Sequence, residues 1–285
     1  VRTPRSPLTL VATLGLAGLA VLLLLAAVTV APLVYADEPE SITGRDELVV
    51  AVDEGLPGLS VRNEEGELEG FEKDVAVYVA GQLDVGLTDL TVRPLGAADP
   101  ESALRDGTFD MVVAAYPITA ERKERVTFAG PYYLAHQDIL VRQDERSIDD
   151  VDDLRGKRLC RVSGSESWRQ VTGEQEVAAT PVPASSYGSC AEALAAGRVD
   201  AVSTDDLVLA GLAADTPGTT VVNAPFTDVK YGIGLREGDR AGCREVNRIL
   251  TDMYQSGAAT TMLNQWFGTS GLELPTTVPQ FEGCA

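Results

Sequence analysis

Few side chains in this chain could do covalent or metal chemistry: four cysteines (Cys160, Cys190, Cys243 and Cys284) and a single histidine, His136. A nucleophilic thiolate needs a base beside it, and nothing in the sequence pairs His136 with any cysteine. His136 reads instead as a surface or hinge residue. One histidine, with no CxxC or HxxxH spacing, leaves little for a zinc site. The sequence therefore calls for no metal and no cofactor. Four cysteines in an oxidising compartment read most simply as two disulfides, with three possible connectivities. Proximity along the chain favours Cys160 with Cys190 and Cys243 with Cys284. In the loop-entropy account, closures of about 30 and 40 residues contribute roughly 3–4 kcal/mol each.

The oxidising compartment follows from the start of the sequence. Arg2 and Arg5 precede an uncharged run from Leu8 to Tyr35 centred on AVLLLLAAVTV, and Val34-Tyr35-Ala36 offers a signal-peptidase site before Asp37-Glu38. As a helix, Leu8–Ala31 would rise about 36 Å, long enough to cross a bilayer with some tilt. Two readings of residues 1–36 stand: a signal peptide cut after Ala36, or an uncleaved membrane anchor. Both place the remainder outside the cytoplasm, extracellular or at the cell surface.

The formal net charge is −20, from 23 Lys+Arg against 43 Asp+Glu. Such a surface repels phosphate backbones, which argues against nucleic-acid binding. With 45% apolar residues the exported part can bury a core. Glu47–Val52 reads as a strand followed by a Gly/Pro-rich turn, Gly55–Gly58. After the polar turn Asn63–Gly66, the residues Phe71, Val75, Tyr78 and Val79 recur at helical spacing. Met111–Ala115, Leu159–Val162 and Ala201–Val202 read as strands, and Ala191–Ala196 as a short helix. Val246, Ile249, Leu250, Met253 and Tyr254 form a helical stripe interrupted at Gly257, and Met262, Leu263, Trp266 and Phe267 form a second. At that spacing they are core residues. Short strands alternating with helices predict an α/β fold with mainly parallel sheets. The tail Gly271–Ala285 reads as irregular, pinned back by Cys284.

At this point the segments resemble, in order, the family 3 extracellular solute-binding proteins, the polar-amino-acid receptors of bacterial ABC importers. LVVAV is similar to the opening strand and GELEGFEKDVAVYVAGQL to the first hairpin and helix. ALRDGTFDMVVAAYPITAERKERVTFAGPYY resembles the ligand strand, the T-x-E-R segment and the first crossing. DLRGKRLCRVSGSES is similar to the start of the second lobe, EALAAGRVDAVSTDD to its ligand strand, and YGIGLREGD with the helix ending NQWFG to the return. The resemblance runs from Leu48 to about Gly268. The cysteines and the turn Pro57-Gly58-Leu59 look most like the glutamate-type branch of high-GC Gram-positive bacteria, which implies the same two disulfide pairs.

The resemblance implies a two-lobed, type II periplasmic-binding-protein-like α/β fold with a two-strand hinge that closes on a ligand. Lobe 1 would comprise 46–135 plus 231–270, lobe 2 136–230, and the tail 271–285. The crossings would fall near Tyr133–Asp138 and Thr227–Gly232. Ligand would sit outside the carboxyl ends of the strands.

Register with the family assigns the site. Arg122, in ITAER after the strand Met111–Ala115, matches the clamp for an α-carboxylate, which a planar guanidinium grips through paired charge-assisted bonds; its neighbours Lys123 and Arg125 read as solvated. Asp205 matches the acceptor for an α-ammonium, and Asp206 is expected to face water. Ala115 ends the first ligand strand and Pro117 follows it. Ser or Thr is usual at the second of these, and proline has no N–H to give. Gly164, Ser165 and Glu166 match a loop whose N–H groups meet the carboxylate from the far lobe. The positions of two ligand-sandwiching aromatics hold Leu56 and Ala97. Asp53 ends the first strand; if it and Glu166 face the cleft, they suit a cationic ligand side chain or a polyamine better than glutamate.

The resemblance thus implies a non-enzymatic capture protein whose partners are a small polar ligand, an amino acid above all, and an ABC permease, with the membrane a further partner if residues 1–36 stay uncleaved. A dehydratase on the same fold is the competing reading, with Glu166 its one nameable acid–base group. A membrane-anchored ligand sensor acting in trans is a third.

Overall fold

The computed structural model describes residues 41–96 and 98–284. The readings of residues 1–36 and of Ala97 lie outside the described residues. Among the described residues, no helix is long and apolar enough to cross a membrane.

The first half is built on β1 (Leu48–Val52), whose apolar run LVVAV is covered on both faces, as a central parallel strand requires. A short hairpin follows, β2 (Val61–Arg62) and β3 (Leu68–Glu69), joined by the polar turn that ends at Gly66. Gly70, at φ 134°, then passes so close to Leu59 that a Cβ would stand 2.1 Å from its carbonyl oxygen. Only glycine fits there. Helix α1 (Phe71–Gln82) buries Phe71, Val75, Ala76 and Val79, the face expected from their spacing. Next come β4 (Leu90–Pro94), α2 (Pro100–Arg105) capped by the Asp99 side chain, and β5 (Met111–Val113). β4 and β5 flank β1, all parallel.

The chain then runs without a break through the 17-residue β6 (Val126–Arg142). The second half comprises β7 (Arg158–Val162), β8 (Thr180–Ala184), α3 (Tyr187–Ala195), β9 (Val202–Asp205), α4 (Asp206–Asp215) and β10 (Thr219–Val221). The chain returns along β11 (Thr227–Arg236) to α5 (Arg240–Gln255) and α6 (Ala258–Phe267), which Gly257 separates at φ 80°.

β6 and β11 pair antiparallel from Thr227↔Gln137 to Arg236↔Val126, with a bulge between Tyr231 and Ile233. Beyond that stretch β6 pairs with β9 and β10. One strand therefore belongs to both halves, and β11 returns beside it. This corrects the expectation of mainly parallel sheets. Parallel pairing holds for β4-β1-β5 and for β7-β8, but the two long strands linking the halves run in opposite directions and make the main sheet mixed. Tyr132, Tyr133, Tyr231 and Phe71 gather at the link with ring centroids 6.0–6.4 Å apart.

Disulfides join Cys160 to Cys190, fastening α3 to β7, and Cys243 to Cys284, fastening the tail to α5. Glu282 holds the tail a second way, with ion pairs to Lys123 and Lys230.

Candidate ligand-binding site

Asp53, Ala115 and Asp205 lie at or just past the carboxyl ends of β1, β5 and β9. Asp205 ends β9 opposite Gln137 of β6, and its Oδ2 accepts a hydrogen bond from the Tyr231 hydroxyl at 2.5 Å. Burial raises the acid above its ordinary range, against the Tyr231 hydrogen bond and the charge of His136, which both favour the carboxylate. Tyr231 forms an isolated bridge with Pro117, flanked by Ile118 N–H to Lys230 O at 2.9 Å and Gly232 N–H to Tyr116 O at 2.9 Å. Arg122 hangs from the same segment: its Nη1 donates to Pro117 O at 3.0 Å, and its guanidinium lies 4.8 Å from the Tyr116 ring centroid. Glu101 stands 3.9 Å from Arg122 Nε, and the side chain keeps 31% exposure. A continuous set of contacts therefore runs Arg122–Pro117–Tyr231–Asp205 across the link. Pro117 has no N–H, so its carbonyl is what it contributes, and that carbonyl orients Arg122.

Lys123 and Arg125 are ion-paired rather than simply solvated, Lys123 with Glu282 at 2.5 Å and Arg125 with Glu101 at 2.9 Å. Asp206 corrects the expectation that it faces water. It is 7% exposed, accepting from the Tyr133 hydroxyl at 3.2 Å and from Leu207 N–H at 2.8 Å. The cause is α4, where residues 206–212 are all buried, so the first residue of the helix is carried inside with the rest. Burial pushes the Asp206 carboxyl up to about 7.

The Gly164–Glu166 loop is braced internally. Ser165 N–H donates to Val162 O at 3.3 Å and Ser167 N–H to Ser165 Oγ at 3.2 Å. Ser165 Oγ and Ser167 Oγ share the Tyr187 hydroxyl, and Ser167 Oγ reaches Thr204 Oγ1 at 3.1 Å. Gln137 Nε2 donates to Ser167 O at 3.0 Å and to Ser203 Oγ at 2.9 Å. This network ties the loop to β9 beside Asp205. The Glu166 side chain is 61% exposed and pairs with Arg169.

Asp53 follows the last residue of β1. Its N–H donates to Glu72 Oε2 at 3.1 Å, and its half-buried carboxyl is pushed up to about 7 by desolvation. Glu72, at 0% exposure, is raised well above its ordinary value by desolvation and then by the Asp53 charge. Ala115 adopts φ 41°, unusual for a residue with a Cβ, and its N–H donates to the Tyr132 hydroxyl at 3.2 Å. Leu56 is partly buried against the core.

Sequence reasoning missed Glu72, Tyr132, Tyr133, Tyr187, Thr204 and Tyr231. Glu72 alone carried a signal: it sits at i, i+4, i+7 with Ala76 and Val79, an acid on the apolar face of a helix. The halves also touch away from these groups, where a Cβ on Gly211 of α4 would stand 1.8 Å from Pro57 O.

Two α/β halves, joined by a pair of long crossing strands and carrying a guanidinium and a carboxylate at the join, define a hinged binding protein. The chain belongs to the bacterial extracellular solute-binding proteins, family 3, whose pattern residues 48–269 match. It is 35% identical over 263 residues to the glutamate-binding protein GluB of Corynebacterium glutamicum, covering 83% of this chain and 87% of GluB. Among solved structures it is similar to an ancestral arginine-binding protein bound to arginine (TM-score 0.68, 31% identity, 79% of this chain and 99% of that one). It is also similar to AncCDT-1, an ancestral amino-acid-binding protein described as a precursor of cyclohexadienyl dehydratase (TM-score 0.68, 28% identity, 79% and 97%).

Proposed function

We propose that this solute-binding protein captures a polar α-amino acid between its lobes and delivers it to the permease of an ABC importer. Lobe 1 is read as 46–135 plus 231–270, lobe 2 as 136–230, and 271–285 as the tail. Arg122 takes the α-carboxylate. Asp205 takes the α-ammonium, which replaces the Tyr231 hydroxyl as its partner or joins it. Ala115, Pro117, Gly164 and Ser165 line the cleft, and Asp53 meets the side chain of the ligand. The observation that supports this reading is the contact path Arg122–Pro117–Tyr231–Asp205, with a guanidinium at one end and a carboxylate at the other. GluB and the ancestral arginine-binding protein, named for amino acids, support the ligand class. The family description as extracellular supports export, with presentation at the cell surface.

Capture without turnover is favoured over dehydration. The acid–base candidate from the sequence, Glu166, is solvent-exposed and paired with Arg169, whereas a catalytic acid needs a position within reach of a bound substrate. Thermal-shift screening with the L-amino acids tests the reading. At least one should stabilise the protein through binding linkage and be recovered unchanged. Stabilisation by none of them would reject it, and consumption of prephenate or arogenate would favour the enzyme.

A further inference from the structure

Two acids come together where β1 and α1 meet, and among the described residues no positive charge acts on either. Asp53 is half-buried at the end of β1, and Glu72 lies behind it with no exposure. Glu72 Oε2 accepts from the Asp53 N–H, while Oε1 is buried without a hydrogen-bond partner. The groups that face the pair are the Ala115 N–H at the end of β5 and the Tyr132 hydroxyl on β6, with the Tyr254 hydroxyl of α5 beyond it. None of the groups acting on either carboxyl is an arginine, a lysine or a histidine. The Ala115 N–H favours the Glu72 carboxylate but is given to the Tyr132 hydroxyl, and two neighbouring buried carboxyls ionise together only at a cost that a cation or a proton between them removes.

We infer that Glu72 is a positioning residue acting through Asp53: the two carboxyls hold one proton when the cleft is empty and exchange it for a cationic group of the ligand, an ammonium or a guanidinium. The inference rests on the amino-acid capture proposed above and names the ligand class as cationic. No covalent bond changes. The proton leaves to solvent as the cation arrives, and Asp53, the more exposed of the two, makes the contact. Glu72 governs whether Asp53 is charged.

Calorimetric titration with L-arginine, L-lysine, L-glutamine and L-glutamate, in buffers of different ionisation enthalpy, counts the protons. At about pH 6, a cationic probe should bind and release about one proton, with affinity rising about tenfold per pH unit until it levels near pH 7. Glu72→Gln should abolish both the release and the slope, and Glu72→Asp should restore them. The ligand-free wild-type protein supplies a second test that needs no variant. Carboxyl-carbon NMR should find one of the two groups still protonated at about pH 6, whereas full ionisation of both at about pH 5, nearer the ordinary range of ~4, overturns the inference. Binding of a cationic probe without proton release overturns it too. So does failure of both cationic probes; binding of L-glutamine or L-glutamate would then leave amino-acid capture standing, and failure of all four would remove capture as well.

Discussion

The Tyr231 hydroxyl, on a strand that links the lobes, donates to the Asp205 carboxylate at 2.5 Å. A residue of the linking strand β11 thus holds the acid proposed to take the ligand ammonium. Asp205 is raised by burial, and Tyr231 offsets part of that by stabilising the ionised form. Tyr231→Phe should therefore destabilise the ligand-free protein by about 1–3 kcal/mol, the cost of leaving a buried acceptor unpaired. Chemical denaturation measures this, and unchanged stability would mean the hydrogen bond is replaced by water.

The pH dependence of stability follows from acids raised rather than lowered by folding. Asp53 and Asp206 shift from 3.8 to about 7. Between those values the folded chain holds protons that the unfolded chain has released, so stability falls as pH rises from about 4 to about 7 and then levels. The ligand-free protein should melt at a higher temperature at pH 5 than at pH 7.5. Asp206→Asn, which keeps an acceptor for the Tyr133 hydroxyl, should flatten part of the slope. A melting temperature that climbs over this interval would contradict the burial assigned to both acids.

Gly211 sets how closely the lobes approach on one side, since a Cβ there would stand 1.8 Å from Pro57 O. Gly211→Val should force α4 and the Pro57 turn apart. We expect a lower melting temperature and a larger radius of gyration by small-angle scattering, because the obstacle is backbone and cannot turn aside. Equal values for both proteins would show the contact to be dispensable.

Removal of Cys243–Cys284 should free the tail. In the loop-entropy account a closure of this size contributes roughly 3–4 kcal/mol. The ion pairs of Glu282 with Lys123 and Lys230 are part-exposed and hold little alone. A Cys243→Ser, Cys284→Ser double variant should show faster proteolysis confined to residues after Gly268, and unchanged digestion would place the anchorage elsewhere.

Much of the fold was legible because local pattern and global packing agree. The spacing of Phe71, Val75 and Val79 marked α1, and Gly257 divided α5 from α6, where a left-handed turn separates two apolar stripes. The long crossing strands were harder to see. β6 is buried at nearly every position and shows no alternation, so its pattern does not reveal that it changes partners midway, and the antiparallel return was hidden from local signals. Asp206 was misread because an acid beside another acid looks solvated; only the all-round burial of α4 brings it inside. The Tyr231 hydrogen bond joins residues 26 positions apart, and no periodicity encodes it.

In the proposed binding mode Arg122 and Asp205 grip one amino acid at once. Equilibrium titration of the stabilising L-amino acid into the wild-type protein, Arg122→Ala and Asp205→Asn tests this grip. One-to-one binding is expected, weakened at least about tenfold in each variant by loss of a charge-assisted bond of ~1.5–3 kcal/mol. Wild-type affinity retained in both variants would contradict it.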